Sequence, residues 1–125
     1  MSTKDKIITT AIALFNENGT AKVSTNHIAE SAGISPGNLY YHFKDKSHII
    51  RAIYEKMVRD WESVYEQFEE QNESLDLLQA FVTHNFHLLW HYRFFSREAV
   101  ALLQSDTELR SRHIEMSQQR FSLQE

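Results

Sequence analysis

The stretch from Thr25 to Lys46, TNHIAESAGISPGNLYYHFKDK, constrains the chain more than any other, because its punctuation allows little besides two short helices and a tight turn. Ser24 or Thr25 can cap the first helix, which carries Ile28, Ala29 and Ala32 on one side. Gly33 ends it, since a glycine just past the last helical residue enters the left-handed conformation without a Cβ clash. Ser35 and Pro36 then restart the chain as N-cap and first helical residue, where proline's fixed φ and missing donor are harmless. The spacing predicts a second helix from Pro36 to about Lys44.

On that second helix Leu39 and Phe43 stand four apart and form the expected buried pair, anchored on Ala29 and Ile34. Gly37, Tyr41 and Lys44 then point almost opposite Leu39, with Asn38, Tyr40 and His42 on the flanks. An exposed helix face ordinarily carries Glu, Lys and Gln; this one carries contact residues instead. Gly37 costs the helix stability but lets a backbone or a phosphate come close. By spacing alone, the small Ala29, turn Gly33 and apolar Leu39 fit a DNA-binding helix-turn-helix and an ordinary αα-corner equally well.

Particular residues separate the two. Ile28-Ala29, Ala32-Gly33-Ile34-Ser35, Gly37, Leu39-Tyr40, His42-Phe43 and Lys46, with the upstream Ala11, Leu14 and Phe15, resemble the DNA-binding domain of the TetR family of bacterial transcriptional regulators over about the first 55 residues. The resemblance implies an all-α protein: an N-terminal three-helix helix-turn-helix domain over residues 1–46, joined by a long fourth helix to a helical effector-binding and dimerisation body over residues 47–125. It implies DNA contacts from Thr25, Asn26, Ser35, Gly37, Asn38, Tyr40, Tyr41, His42 and Lys46. Base reading is expected at Ser35, Gly37, Asn38 and Tyr40, and phosphate contact at Tyr41 and Lys46. One departure is Asn26, which stands where many members carry an arginine.

Composition narrows the alternatives. The chain has 125 residues, 42% hydrophobic and 24% charged, enough for one ordinary domain or two small units sharing a helix. No apolar run spans a bilayer, the N-terminus lacks a signal-peptide pattern, and the absence of cysteine removes disulfides and thiolate zinc sites, so a cytoplasmic location is expected. The net charge of −4 is unevenly spread: residues 1–50 hold five Lys/Arg against four Asp/Glu, residues 51–125 eight against thirteen. DNA affinity must then come from a few placed donors, helix N-termini and dimerisation rather than from a broad basic surface.

Along the remaining chain, residues 3–18 read as an amphipathic helix with Ile7, Ala11, Leu14 and Phe15 on one face. Asp45 is a good N-cap for a long helix from Lys46 to about Gln71, with Ile49, Ile50, Ile53, Met57, Val64 and Phe68 along its apolar stripe. After a polar break at residues 69–73, a very apolar helix runs from Leu75 to about Tyr92 and is expected to be central and largely buried. Its His84, His87 and His91 share an arc, yet no metal-binding pattern or cysteine accompanies them, so no metal is assigned. Ser105 with Glu108 reads as a capping box for a last helix through Leu109, Met116 and Leu123. That pattern reaches Glu125 without a stop signal and is expected to continue; in the TetR family the last two helices form the dimer interface.

The function expected is a DNA-binding transcriptional regulator, a ligand-responsive repressor that holds a palindromic double-stranded operator as a homodimer. Trp61, Tyr65, Phe86 and Trp90 are the candidates to line a pocket for a small hydrophobic or aromatic effector. The alternative is a helix-turn-helix protein regulated by a protein partner. An enzyme finds no support, since there is no Gly-x-Ser-x-Gly, phosphate loop, acidic metal cluster or nucleophile with an evident base. No cofactor is called for.

Overall fold

The computed structural model describes residues 1–70 and 74–124, and the regular elements among them are all α-helices: α1 (Thr3–Asn18), α2 (Thr25–Ala32), α3 (Pro36–His42), α4 (Lys46–Glu70), α5 (Leu75–His91), α6 (Arg93–Ser105) and α7 (Thr107–Gln124). The expected end of α4 at Gln71, the remainder of the polar break and the Leu123 side chain lie outside the described residues. Packing divides the chain into two compact units, Met1–Phe94 and Phe95–Glu125.

In the first unit α1 packs on α2 and α4, α2 on α3, and α4 on α5. Ile7, Ala11 and Phe15 recur every four residues along α1 and are fully buried, as are Ile28 and Ala29 of α2 and Leu39 of α3. Phe43, just past α3, is fully buried too, so the expected Leu39 and Phe43 pair forms. Ile7, Phe15, Ile28, Leu39 and Phe43 each contribute about 1.5 to 3 kcal/mol by leaving water, the two alanines less. The α3 helix ends at His42 rather than near Lys44 because Phe43 turns extended, with φ −135° and ψ 127°. Asp45 caps α4 as expected, accepting from the His48 N–H at 2.8 Å.

Burial then fades along α4: Ile49, Ile50, Ile53 and Tyr54 are buried, whereas Met57, Val64 and Phe68 are only half-buried. The α5 helix departs furthest from expectation, for it has no buried residue at all. Leu77, Phe81 and Leu88 are half-buried, while Leu75, Leu78, Val82, Phe86, Leu89 and Trp90 are exposed. A helix apolar nearly all round needs neighbours on every side, and among the described residues its main packing partner is α4, which covers one face.

In the second unit Phe95, Leu102 and Leu109 are buried. The stretch between Tyr92 and Ser105, unassigned by the sequence pattern, is helix α6, and no Gly or Pro marks its start. The expected capping box at Ser105 does not form. Asp106 caps α7 instead, its Oδ1 accepting from the Glu108 and Leu109 N–H groups at 3.1 and 3.3 Å. Ser105 is still inside α6, and its hydroxyl donates back to the Leu102 carbonyl at 3.2 Å.

Candidate nucleic-acid interface

The α2–α3 pair is built by local capping. Ser24 Oγ accepts from the His27 N–H at 3.1 Å and Ser35 Oγ from the Asn38 N–H at 3.0 Å, so each helix opens with a donor satisfied by a side chain. Between them Gly33 is left-handed at φ 73°, and its N–H donates to the Ala29 and Glu30 carbonyls. Burial of Leu39 and Phe43 fixes the rotation of α3 and turns Ser35, Gly37, Asn38, Tyr40 and Tyr41 outward.

That outward face carries most of the expected contact residues. Tyr41 is 84% exposed, its ring edge-on to His42 at 5.1 Å between centroids. Tyr40 is held in place by a 2.7 Å hydrogen bond between its hydroxyl and Thr25 Oγ1, which ties the outer surface of α3 to the first residue of α2. Asn26 is exposed, Thr25 and His42 half-buried. A Cβ added at Gly37 would come no nearer than 4.0 Å to Ser35 Oγ. Nothing inside the protein requires glycine there.

Lys46 is engaged within the protein. Its ammonium donates to the Thr20 and Val23 carbonyls at 2.7 and 3.0 Å, tying the start of α4 to the α1–α2 turn, and the residue is half-buried rather than free. Lys46→Met should therefore cost stability, about 1.5 to 3 kcal/mol for charge-assisted bonds to partly buried carbonyls. Denaturant unfolding of the two chains measures it, and an unchanged midpoint would return Lys46 to a purely surface role.

The four effector candidates fall into two pairs on α4 and α5. Trp61 Nε1 donates to Asn85 Oδ1 at 3.0 Å, and Tyr65 lies edge-on to Phe81 at 5.4 Å, both where α4 meets α5. Phe86 and Trp90, 67% and 68% exposed, lie on another face of α5, and the Arg93 guanidinium covers the Trp90 ring at 4.1 Å. An open depression of about 330 Å³ is lined instead by Asp76, Gln79, Ala80, Thr83 and His84.

A polar cluster that the sequence pattern does not signal joins α4 to the end of α5. Tyr92, fully buried, donates its hydroxyl hydrogen to Asp60, and Lys56 Nζ donates to Asp60 Oδ2 at 3.2 Å and to the Tyr92 oxygen at 3.1 Å. Burial and the bond to Asp60 push the Tyr92 phenol well above its ordinary pKa, so it remains a donor. Partial burial, reinforced by the Lys56 charge, holds His91 below its usual value.

An all-helical chain that presents a capped helix-turn-helix with an outward face of Tyr, Asn, Gly and Ser, followed by a long helix into a further helical layer, defines the class of helix-turn-helix regulators. The chain belongs to the tetR family of bacterial regulatory proteins, whose pattern matches residues 7–53, and residues 53–123 match a second family described as bacterial transcriptional repressor. It is 35% identical over 80 residues to the HTH-type transcriptional regulator UidR of Escherichia coli K12, covering 64% of this chain and 39% of UidR. A TetR-family transcriptional regulator from Marinobacter aquaeolei VT8 superposes with a TM-score of 0.85 at 39% identity, covering 95% of this chain and 59% of that one. The transcriptional regulator FadR of Bacillus subtilis, in complex with stearoyl-CoA, superposes with a TM-score of 0.67 at 28% identity, covering 91% and 62%. The chain thus spans about two fifths of UidR and about three fifths of these solved relatives. No helix among the described residues is long and apolar enough to cross a membrane.

Proposed function

We propose that residues 1–46 read double-stranded DNA and that residues 47–125 belong to an effector-responsive body, the protein acting as a repressor that holds a palindromic operator as a homodimer. The observation that carries this reading is the outer face of α3, where exposed Asn38, Tyr40 and Tyr41 flank a glycine that no internal contact requires. A recognition helix enters the major groove by its N-terminal residues, which here are Gly37 and Asn38, preceded by the cap Ser35; asparagine can bridge an adenine edge. Tyr40, with its hydroxyl shared with Thr25, and the freely exposed Tyr41 suit the flanking phosphates and bases. The likeness to a regulator seen with stearoyl-CoA supports an effector that carries a long apolar chain.

Selection of duplexes from a randomised library, followed by fluorescence anisotropy, tests the reading. The selected sequences should contain inverted half-sites spaced by about 34 Å or a multiple of it. Tyr41→Ala should weaken binding by roughly 1 to 2 kcal/mol, the loss expected for a hydrogen bond to a charged phosphate, and leave stability unchanged. Asn38→Ala should alter preference at one or two base pairs per half-site. Failure to select any duplex would overturn the assignment of α2–α3 as a DNA reader.

A second reading, regulation by a protein partner in place of an effector, draws support from the exposed apolar residues of α5, Phe86 and Trp90 among them. A panel of fatty acyl-CoA esters added to the DNA complex separates the two: release of the duplex favours an effector, and indifference to every member favours the partner.

A further inference from the structure

Asn16 lies near the end of α1, buried at 7% exposure, and its carboxamide serves two helix ends that are distant in sequence. Its Nδ2 donates to the His91 carbonyl at 2.8 Å and its Oδ1 accepts from the Phe94 N–H at 3.0 Å. The His91 carbonyl belongs to the last turn of α5 and the Phe94 N–H to the first turn of α6, groups that helix geometry leaves without intrahelical partners. One side chain of α1 therefore caps both sides of the α5–α6 break. Beside it Phe15 and Phe94, both fully buried, meet at 5.3 Å between ring centroids.

The same break is held from a second direction. The Tyr92 hydroxyl reaches Asp60 and Lys56 of α4, so residues 91–94 connect by their backbone to α1 and by a side chain to α4. Since α1 packs on α2, the helix-turn-helix is attached to α4 covalently, by the packing of α1 and by the Lys46 bonds, and to the α5–α6 break through Asn16 and the Phe15–Phe94 contact. A body joined to its support at one point can pivot; joined at two, it follows the support. We propose that Asn16 is the latch through which the α5–α6 break at His91–Phe94 governs the orientation of the helix-turn-helix. That this orientation controls DNA occupancy rests on the DNA-reading assignment above; the mechanical coupling does not.

Site-resolved hydrogen exchange on four forms of the 125-residue chain tests it: the natural sequence, Tyr92→Phe, Asn16→Ala and the double variant. Tyr92→Phe removes the hydroxyl held by Asp60 and loosens the break. In the natural background this should speed exchange of the α2 amides 28–32 by roughly fivefold, whereas with Asn16→Ala it should leave them unchanged, a non-additivity expected only of coupled residues. A purely structural role for Asn16 would instead shift α2 by the same factor in both backgrounds, and that result, or no α2 response in either, overturns the latch. Should Asn16→Ala lose its folded signal, Asn16→Asp, which keeps the acceptor for Phe94 and removes the donor, replaces it in the cycle. A final arm adds a library-selected duplex, which by reciprocity should slow exchange at residues 91–94 of the natural chain. A duplex that binds without protecting 91–94 overturns the latch; an intact exchange cycle without any selectable duplex upholds it and overturns only the DNA reading.

Discussion

Phe15→Ala should lower the free energy of unfolding by about 3 to 5 kcal/mol, the range for removing a fully buried phenyl ring. Phe15 has no exposed surface, stands one helical turn from Ala11, and packs its ring against Phe94. Its loss leaves a cavity between α1 and the first turn of α6, where Phe94 sits. Against a typical domain stability of about 5 to 15 kcal/mol, such a loss takes much of the margin. The matched comparison is Phe86→Ala. Phe86 is 67% exposed, and its replacement should move stability by no more than about 0.5 kcal/mol. Urea titration followed by circular dichroism at the helical band measures both. Equal losses at the two positions would mean that Phe86 is covered in solution, and an undisturbed Phe15→Ala would place the core elsewhere.

Gly37→Ala should move stability and DNA affinity in opposite directions. A Cβ at this position meets only Ser35 Oγ at 4.0 Å, an ordinary contact, so the protein accommodates the methyl group without strain. Alanine also suits a helix better than glycine, by up to about 1 kcal/mol, so the variant should be equally or more stable. If the glycine instead serves the approach of DNA to the second residue of α3, the methyl group stands in that path. Affinity for the selected duplex should then fall about tenfold or more, which is about 1.4 kcal/mol. Thermal unfolding and anisotropy on the same preparation give both quantities. A variant that gains stability and keeps full affinity would show that nothing approaches this backbone, and the recognition surface would have to be sought further along α3.

Much of the helix-turn-helix was legible in the sequence because its determinants act over short range. Ser24 with His27 and Ser35 with Asn38 are three residues apart, and Gly33 closes onto Ala29 and Glu30. Such caps and turns depend on backbone geometry that a few neighbouring residues enforce by themselves. Where the local signals were ambiguous, local chemistry still decided, but differently: Asp106 caps α7 and Ser105 bonds backward within α6, a shift of one residue. The start of α6 escaped notice because the chain breaks at Tyr92 without glycine or proline.

By itself the sequence determined the pairing of α2 with α3 and the outward set of Asn38, Tyr40 and Tyr41, since helical period and capping follow from residue type and spacing. Only the tertiary structure decided which apolar residues become core, because periodicity marks the sides of α5 that could be covered and says nothing of how many neighbours cover them. It also decided that Lys46 holds the carbonyls of Thr20 and Val23, and that Asn16 joins α1 to His91 and Phe94. Those partners lie 23 to 78 residues away, beyond the reach of any local pattern, and only the packing of helices brings them within hydrogen-bond distance.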